Sequence, residues 1–232
     1  MCHSQYRLEA EVSYFYNNSI FCMEGRIQTK GEEVANAITH AAGIIFCLAA
    51  MPFLLMNAYQ NHAMPVFWGV FAFGAGMLMV YTSSTLYHAV QHKRMKDFLQ
   101  RMDHMSIYFL IAGTYTPLVI RYLPKTTAII FLSVMWGLVG IGVVFKLFFT
   151  NRFHYVSLFI YLVMGWMIVF IIKPAWDHIP LSIIGWIIAG GLSYTAGVYF
   201  FIKSRVNYFH AIWHCFVLGG TIAHYVCVYK SI

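Results

Sequence analysis

The sequence predicts an all-α polytopic membrane protein, a bundle of seven transmembrane helices, on three observations. Of its 232 residues, 60% are hydrophobic and only 10% are charged, whereas a soluble domain carries about 25% charged residues. The apolar residues form seven runs, each near the length of about 20 residues that crosses a bilayer as a helix. Short polar or basic stretches separate the runs and leave no room for a second domain.

The net charge of +7 does not indicate nucleic-acid binding. The basic residues lie between the apolar runs, where the excess of Lys and Arg at the cytoplasmic surface of membrane proteins accounts for them. The five cysteines are too few and too scattered for a disulfide framework. Composition therefore indicates a protein embedded in the membrane, with no nucleic acid among its partners.

The chain divides into a tail, residues 1–31, and a transmembrane domain, residues 32–230. The apolar run at 14–16 is broken by Asn17 and Asn18, so it is neither a signal peptide nor a span. We expect the tail to be poorly ordered, and Met23 is an alternative start to Met1.

The seven predicted spans are about one bilayer thickness long. Glu32 and Glu33 at the first turn of span one suit the positive end of a helix dipole. The basic stretch 91–97 is predicted to connect spans two and three. The spans cover residues 31–57, 65–90, 100–121, 125–148, 154–172, 181–203 and 209–229.

The distribution of Lys and Arg predicts the orientation. Seven spans place the N-terminus and loops 2–3, 4–5 and 6–7 on one side. Of the 15 basic residues, four lie on the opposite side: Arg121, Lys125, Lys173 and Lys230. Eleven lie on the N-terminal side: Arg7, Arg26, Lys30, Lys93, Arg94, Lys96, Arg101, Lys146, Arg152, Lys203 and Arg205. The N-terminus is therefore expected inside the cell and the C-terminus outside.

This topology brings polar residues from three distant spans to one depth near the inner face. Ser84 and His88 end span two, and Asp103 begins span three. His210 and His214 begin span seven with a spacing of four, which puts both imidazoles on one helix face. Ionisable side chains inside a membrane are costly and usually functional.

The same five residues have a shared chemical explanation. Three neutral imidazoles and one water are typical of a catalytic zinc site, and a nearby carboxylate can move a proton. Each residue also has a simpler explanation. Asp103 can be a solvated acid, His88 can face lipid headgroups, His210 and His214 can be packing residues, and Ser84 can bond to its own helix backbone.

Other polar residues are less suited to the site. His40, one turn after Asn36 on span one, is interpreted as a supporting or packing group rather than a ligand. His104 points away from Asp103, and His224 lies about 15 Å further along its helix than the predicted site. His154, at the start of span five, is a weak additional candidate.

Five ordered motifs resemble the bacterial hemolysin III family over about residues 30–230. That family is related to the progestin and adipoQ receptors, which include the adiponectin receptors, and more remotely to alkaline ceramidases. The motifs are Glu-Val-Ala-Asn-Ala-Ile-Thr-His at 33–40, Ser-Thr-Leu-Tyr-His at 84–88, Arg-Met-Asp-His at 101–104, Gly-Gly-Leu-Ser-Tyr-Thr-Ala-Gly at 190–197 and His-Ala-Ile-Trp-His at 210–214.

The resemblance implies a seven-helix bundle with its N-terminus inside. It also implies Zn²⁺ bound by His88, His210 and His214. Asp103 would hold a zinc-bound water, and Ser84 would be the neighbouring hydroxyl. No residue of these motifs is missing from the sequence.

Three functions are compatible with these residues. The first is a zinc-dependent membrane hydrolase that cleaves a lipid amide or ester, with Asp103 and Ser84 as catalytic groups. The second is cytolysis. Seven uniformly apolar spans argue against it, because they are typical of a resident membrane protein rather than of a secreted toxin. The third is a lipid sensor in which zinc is structural. In each case we expect a multi-pass protein of the bacterial inner membrane, while the lipid and the oligomeric state stay open.

Overall fold

The protein is entirely helical wherever its regular structure is described. The computed structural model covers residues 28–149, 153–175 and 178–232. Residues 1–27 lie outside this range, so the predicted tail stays a prediction. The helices are α1 (Lys30–Asn61), α2 (Met64–Ala89), α3 (Lys93–Tyr122), α4 (Lys125–Phe149), α5 (His154–Gly165), α6 (Ile168–Ala175), α7 (Leu181–Ile202) and α8 (Phe209–Ser231). The predicted all-α class is confirmed.

Five of these helices, α1, α2, α4, α7 and α8, are long and apolar enough to cross a membrane. Their outward faces carry large apolar side chains that are mostly exposed, such as Ile45 at 70% and Phe148 at 76%. A soluble surface rarely gathers so much apolar area, whereas lipid tails contact it favourably. The chain is therefore a multi-pass membrane protein, as its composition predicts.

Helix α1 begins at Lys30 because Thr29 and Glu32 form a capping box. The Thr29 side chain accepts a hydrogen bond from the Glu32 backbone N–H at 3.3 Å. The Glu32 carboxylate accepts one from the Thr29 N–H at 2.9 Å. This exchange satisfies two backbone donors that the first turn leaves free.

Helix α3 begins at Lys93, seven residues before the predicted start of span three. The prediction of a connection at 91–97 is therefore wrong for most of that stretch. Hydropathy marks the part of a helix that lies in lipid, whereas Lys and Arg are good helix formers and continue the helix beyond it. The extension brings Lys96 to the start of α1, where its Nζ lies 2.8 Å from Glu33 Oε1.

The predicted span five is broken rather than continuous. Helix α5 ends at Gly165 and α6 begins at Ile168. The Tyr115 hydroxyl of α3 fills the gap, because it donates to the Gly165 carbonyl at 2.6 Å and accepts from the Ile168 N–H at 3.0 Å. Protein groups of this kind are what allow irregular backbone at membrane depth.

Contacts at both ends of the bundle show that α1, α3 and α8 run in the same direction. At one end, the Asn57 amide and the Arg121 guanidinium donate to the last two carbonyls of the chain, both at 3.2 Å. At the other end, the N–H of Tyr208, just before α8, donates to Glu32 at 3.0 Å. We call this second end the histidine end. Its cytoplasmic location remains a prediction from the charge distribution.

Helices α2 and α3 approach so closely that only glycine fits at their contact. A Cβ atom on Gly113 would lie 2.7 Å from the Ala72 carbonyl oxygen, and one on Gly76 would lie 2.8 Å from the Phe109 carbonyl oxygen. Small residues permit this kind of helix packing in membranes. The contact matters for the site because these two helices carry His88, Ser84 and Asp103.

Substituting Gly113→Ala is expected to destabilise the protein by about 1–3 kcal/mol, the usual cost of overpacking. Gly137→Ala on α4 is the matched control, because a Cβ there meets no atom of the described residues within 4 Å. Alanine's higher helix propensity should make that change neutral or stabilising by up to about 1 kcal/mol. Thermal unfolding in detergent measures the stability of both variants. Equal effects would contradict the close packing of α2 against α3.

Candidate metal centre

Three imidazoles from two helices meet at the histidine end. His88 comes from the last turn of α2, and His210 and His214 come from the first two turns of α8. One ligand atom from each lies within 4.8 Å of the others. The His88 ring centroid is 5.2 Å from each of the other two. His88 and His214 are both only 2% exposed. Such a group can hold a metal ion.

A carboxylate on α1 fixes the His88 ring. Glu33 Oε2 lies 2.7 Å from His88 Nδ1, so the neutral ring donates its proton there and leaves Nε2 as an acceptor. Nε2 is buried, and it has no hydrogen-bond partner within the described part of the chain. The sequence places Glu33 at a helix start and at the beginning of the motif at 33–40, without a role at the metal site. The contact with His88 depends on how α1 packs against α2, which the sequence does not report.

The His214 ring, like that of His88, is contacted at Nδ1 by residues of α1. Its Nδ1 lies 3.2 Å from the Asn36 carbonyl oxygen and 3.2 Å from Thr39 Oγ1. The Thr39 hydroxyl is within donating distance of the Ala35 and Asn36 carbonyls, at 3.0 and 2.9 Å, so its oxygen remains free to accept. Nδ1 of His214 is therefore the donor, and Nε2 is available as a metal ligand.

His40 packs directly against this group. Its ring stacks on His214 with centroids 3.6 Å apart, and it meets the edge of Tyr81 at 5.2 Å. This position matches the interpretation of His40 as a supporting residue. Asn36 also lies beside the cluster, with its side-chain nitrogen 3.5 Å from His88 Nδ1.

Ser84 and Asp103 lie beside each other on α2 and α3. The Ser84 side chain is fully buried, and its hydroxyl faces the Asp103 carboxylate without completing a hydrogen bond to it or to any other described residue. It does not bond to its own helix, unlike the neighbouring Ser83 hydroxyl, which donates to the Met79 carbonyl at 2.6 Å.

Among the described residues, the other histidine candidates are not members of the three-histidine group. His104 Nδ1 is 2.7 Å from the carbonyl oxygen of Gln100 in its own helix. His224 lies against Gly190 of α7 and Tyr194, whose ring centroid is 5.6 Å away. The side chain of His154 is outside the described residues.

Several buried polar atoms without a hydrogen-bond partner among the described residues belong to the imidazoles or to other residues of α1 and α2. Buried polar groups in proteins are nearly always hydrogen-bonded, so atoms left unpaired fit a site that binds a polar or charged species. Within the described residues, those on α1 and α2 are Asn36 Oδ1, both ring nitrogens of His40, Tyr81 Oη, Ser84 Oγ, Thr85 Oγ1 and His88 Nε2.

Fold and site together define a class: a multi-pass helical membrane protein with a three-histidine cluster, able to bind a metal ion, at one end of its bundle. Residues 28–225 match the family of haemolysin-III related proteins. The chain belongs to this family, as its five sequence motifs predict.

Individual relatives support the assignment over most of the chain. "Hemolysin-3 homolog" of Bacillus subtilis (strain 168) is 42% identical over 200 residues, which are 85% of this chain and 92% of the relative. "Hemolysin-3" of Bacillus cereus is 36% identical over 197 residues, or 85% and 90% of the two chains. The human "Monocyte to macrophage differentiation factor" is 28% identical over 211 residues, or 86% and 84%.

Proposed function

We propose that the protein is a zinc-dependent membrane hydrolase that cleaves an amide or ester bond of a membrane lipid. The observation that carries the proposal is the convergence of His88, His210 and His214, two of which have Nδ1 engaged by α1. Engaging Nδ1 leaves Nε2 for a metal, which is how proteins commonly orient histidine ligands.

Zinc is the metal that this donor set suits best. Neutral imidazoles bind Zn²⁺ well, and three protein ligands with one open position are typical of catalytic rather than structural sites. When bound, zinc supplies Lewis acidity and lowers the pKa of a coordinated water to about 7. The fit rests on His88, His210 and His214, and this group contains neither a cysteine nor a carboxylate.

Asp103 and Ser84, which lie beside each other on α3 and α2, would carry the proton transfer and the charge stabilisation. Asp103 would accept a proton from the attacking water and return it to the leaving amine or alcohol as the amide C–N or ester C–O bond breaks. Ser84, whose hydroxyl has no hydrogen-bond partner among the described residues, would donate a hydrogen bond to the carbonyl oxygen as it gains negative charge.

The location of the site supports a lipid substrate. The imidazoles are buried in the last turn of α2 and the first turns of α8, at one end of an apolar bundle. A substrate reaching them from the bilayer would enter between helices with its polar headgroup at that end. In the orientation that the charge distribution predicts, the site would serve the inner leaflet of the bacterial cytoplasmic membrane.

Ser84→Ala is expected to lower turnover about 100-fold, the typical cost of losing one donor to the developing charge, with the bound metal retained. Ser83→Ala is the matched control, because that hydroxyl is committed to the Met79 carbonyl. Release of fatty acid by protein of known metal content measures both. Equal turnover in the two variants would remove Ser84 from the mechanism.

The function itself is tested by incubating the zinc-loaded protein in lipid nanodiscs with ceramides, other N-acyl lipids and phospholipid esters. We expect fatty acid to be released from at least one class, and a chelator or His88→Ala to stop the release. Metal binding with no hydrolysis of any class would contradict the hydrolase and favour a lipid sensor. Haemoglobin release from red cells that His88→Ala leaves intact would favour cytolysis.

A further inference from the structure

Helix α1 contributes no ligand to the three-histidine group, yet one of its faces contacts two of the three rings. Glu33 contacts Nδ1 of His88, while the Asn36 carbonyl and the Thr39 hydroxyl contact Nδ1 of His214. These residues follow one another at a spacing of three, which places them along one side of the helix. This face of α1 therefore contacts one histidine of α2 and one histidine of α8.

We infer that Glu33 is the positioning residue of the metal centre: it fixes the tautomer and angle of His88 so that Nε2 points at the metal. The inference rests on the proposed metal site and adds a residue to it. A carboxylate behind a histidine ligand also raises the basicity of the ring. Glu33 would therefore strengthen the bond between His88 and the metal as well as orient the ring.

Both oxygens of Glu33 are engaged, which holds the carboxylate in one place. Oε2 lies 2.7 Å from His88 Nδ1, and Oε1 lies 2.8 Å from Lys96 Nζ. The Lys96 ammonium donates a second bond to the Tyr87 carbonyl at 3.2 Å, next to His88 in the chain. Glu33 is 16% exposed and His88 is 2% exposed, so water competes little for the contact.

A purely structural role is the alternative. Glu33 and Lys96 would then only join α1 to α3, and His88 would be a bystander. The two roles predict different results for metal affinity. Loss of the carboxylate should weaken metal binding only if it acts through His88, whereas loss of Lys96 leaves the carboxylate on the ring.

The test measures zinc affinity by chelator competition on the purified full-length chain. Glu33→Gln removes the carboxylate charge behind His88 and is expected to weaken binding about 10–100-fold, as loss of such partners usually does, while one zinc per chain still binds at saturation. Asp97→Asn removes the same charge from an exposed position at the histidine end and should leave affinity unchanged. The visible spectrum of the cobalt-substituted protein should shift in Glu33→Gln and not in Asp97→Asn.

Lys96→Met separates the two roles. We expect it to lower thermal stability and to retain wild-type zinc affinity. If Lys96→Met weakens zinc binding as far as Glu33→Gln does, the ion pair explains the loss of affinity and the inference fails.

If Glu33→Gln does not fold, Glu33→Asp replaces it, because its shorter side chain keeps the charge but cannot span the same contacts. Wild-type affinity in either Glu33 variant overturns the inference, whereas a wild-type protein that binds no metal overturns the proposed function instead.

Discussion

Replacing Asp103 with Asn is expected to abolish lipid hydrolysis while the protein keeps its metal. An amide cannot take a proton from the attacking water or return it to the leaving group. Such proton transfer contributes about 10²–10⁴-fold to a rate, so turnover should fall by that factor. Asp103 is not a member of the three-histidine group, and Asn is close to Asp in size, so metal binding should survive.

The measurement is fatty-acid release per bound zinc, with Asp97→Asn as the control. Asp97 lies on the same helix but is exposed, so its loss should not change the rate. Unchanged turnover in Asp103→Asn would exclude Asp103 as the proton carrier. Loss of zinc together with turnover would make Asp103 a fourth protein ligand. A closed four-ligand site is typical of structural zinc and would favour the sensor.

Replacing His88 or His214 with Ala is expected to reduce bound zinc from about one per chain to a trace. Each substitution leaves two imidazoles, fewer than the three protein ligands of a catalytic zinc site. Because His88 comes from α2 and His214 from α8, loss in both variants would establish that the two helices share one metal. Zinc should also raise the thermal stability of the wild type, since a ligand that binds the folded state stabilises it.

His224→Ala on α8 is the control for His214→Ala. His224 is a histidine of the same helix that contacts Gly190 and Tyr194 rather than the cluster. It should retain zinc and the stabilisation that zinc gives. Equal loss of zinc in His224→Ala would indicate that damage to α8, rather than loss of a ligand, explains the effect.

The sequence predicted the fold class and the gathering of the three histidines because both depend on coarse physical rules. Apolar runs of fixed length report the spans, and alternation of the spans brings the end of α2 and the start of α8 to one side. The i, i+4 spacing of His210 and His214 then places both rings on one helix face. None of these steps requires knowledge of side-chain packing.

Features that depend on packing between helices could not be predicted. Glu33 was identified as an acid at a helix start, because its contact with His88 exists only once α1 lies against α2. The break between α5 and α6 follows from a hydroxyl of α3, Tyr115, that takes the place of helix hydrogen bonds. The early start of α3 was missed because hydropathy does not report where a helix ends outside the lipid.

X-ray absorption spectroscopy of the zinc-loaded protein identifies the atoms that bind the metal. We expect nitrogen or oxygen neighbours at about 2.0–2.1 Å and the outer-shell scattering of three imidazoles. Any metal that remains in His88→Ala should show the scattering of two. Sulfur neighbours at about 2.3 Å, fewer than three imidazoles in the wild type, or a protein that binds no zinc when zinc is supplied throughout purification would contradict this expectation.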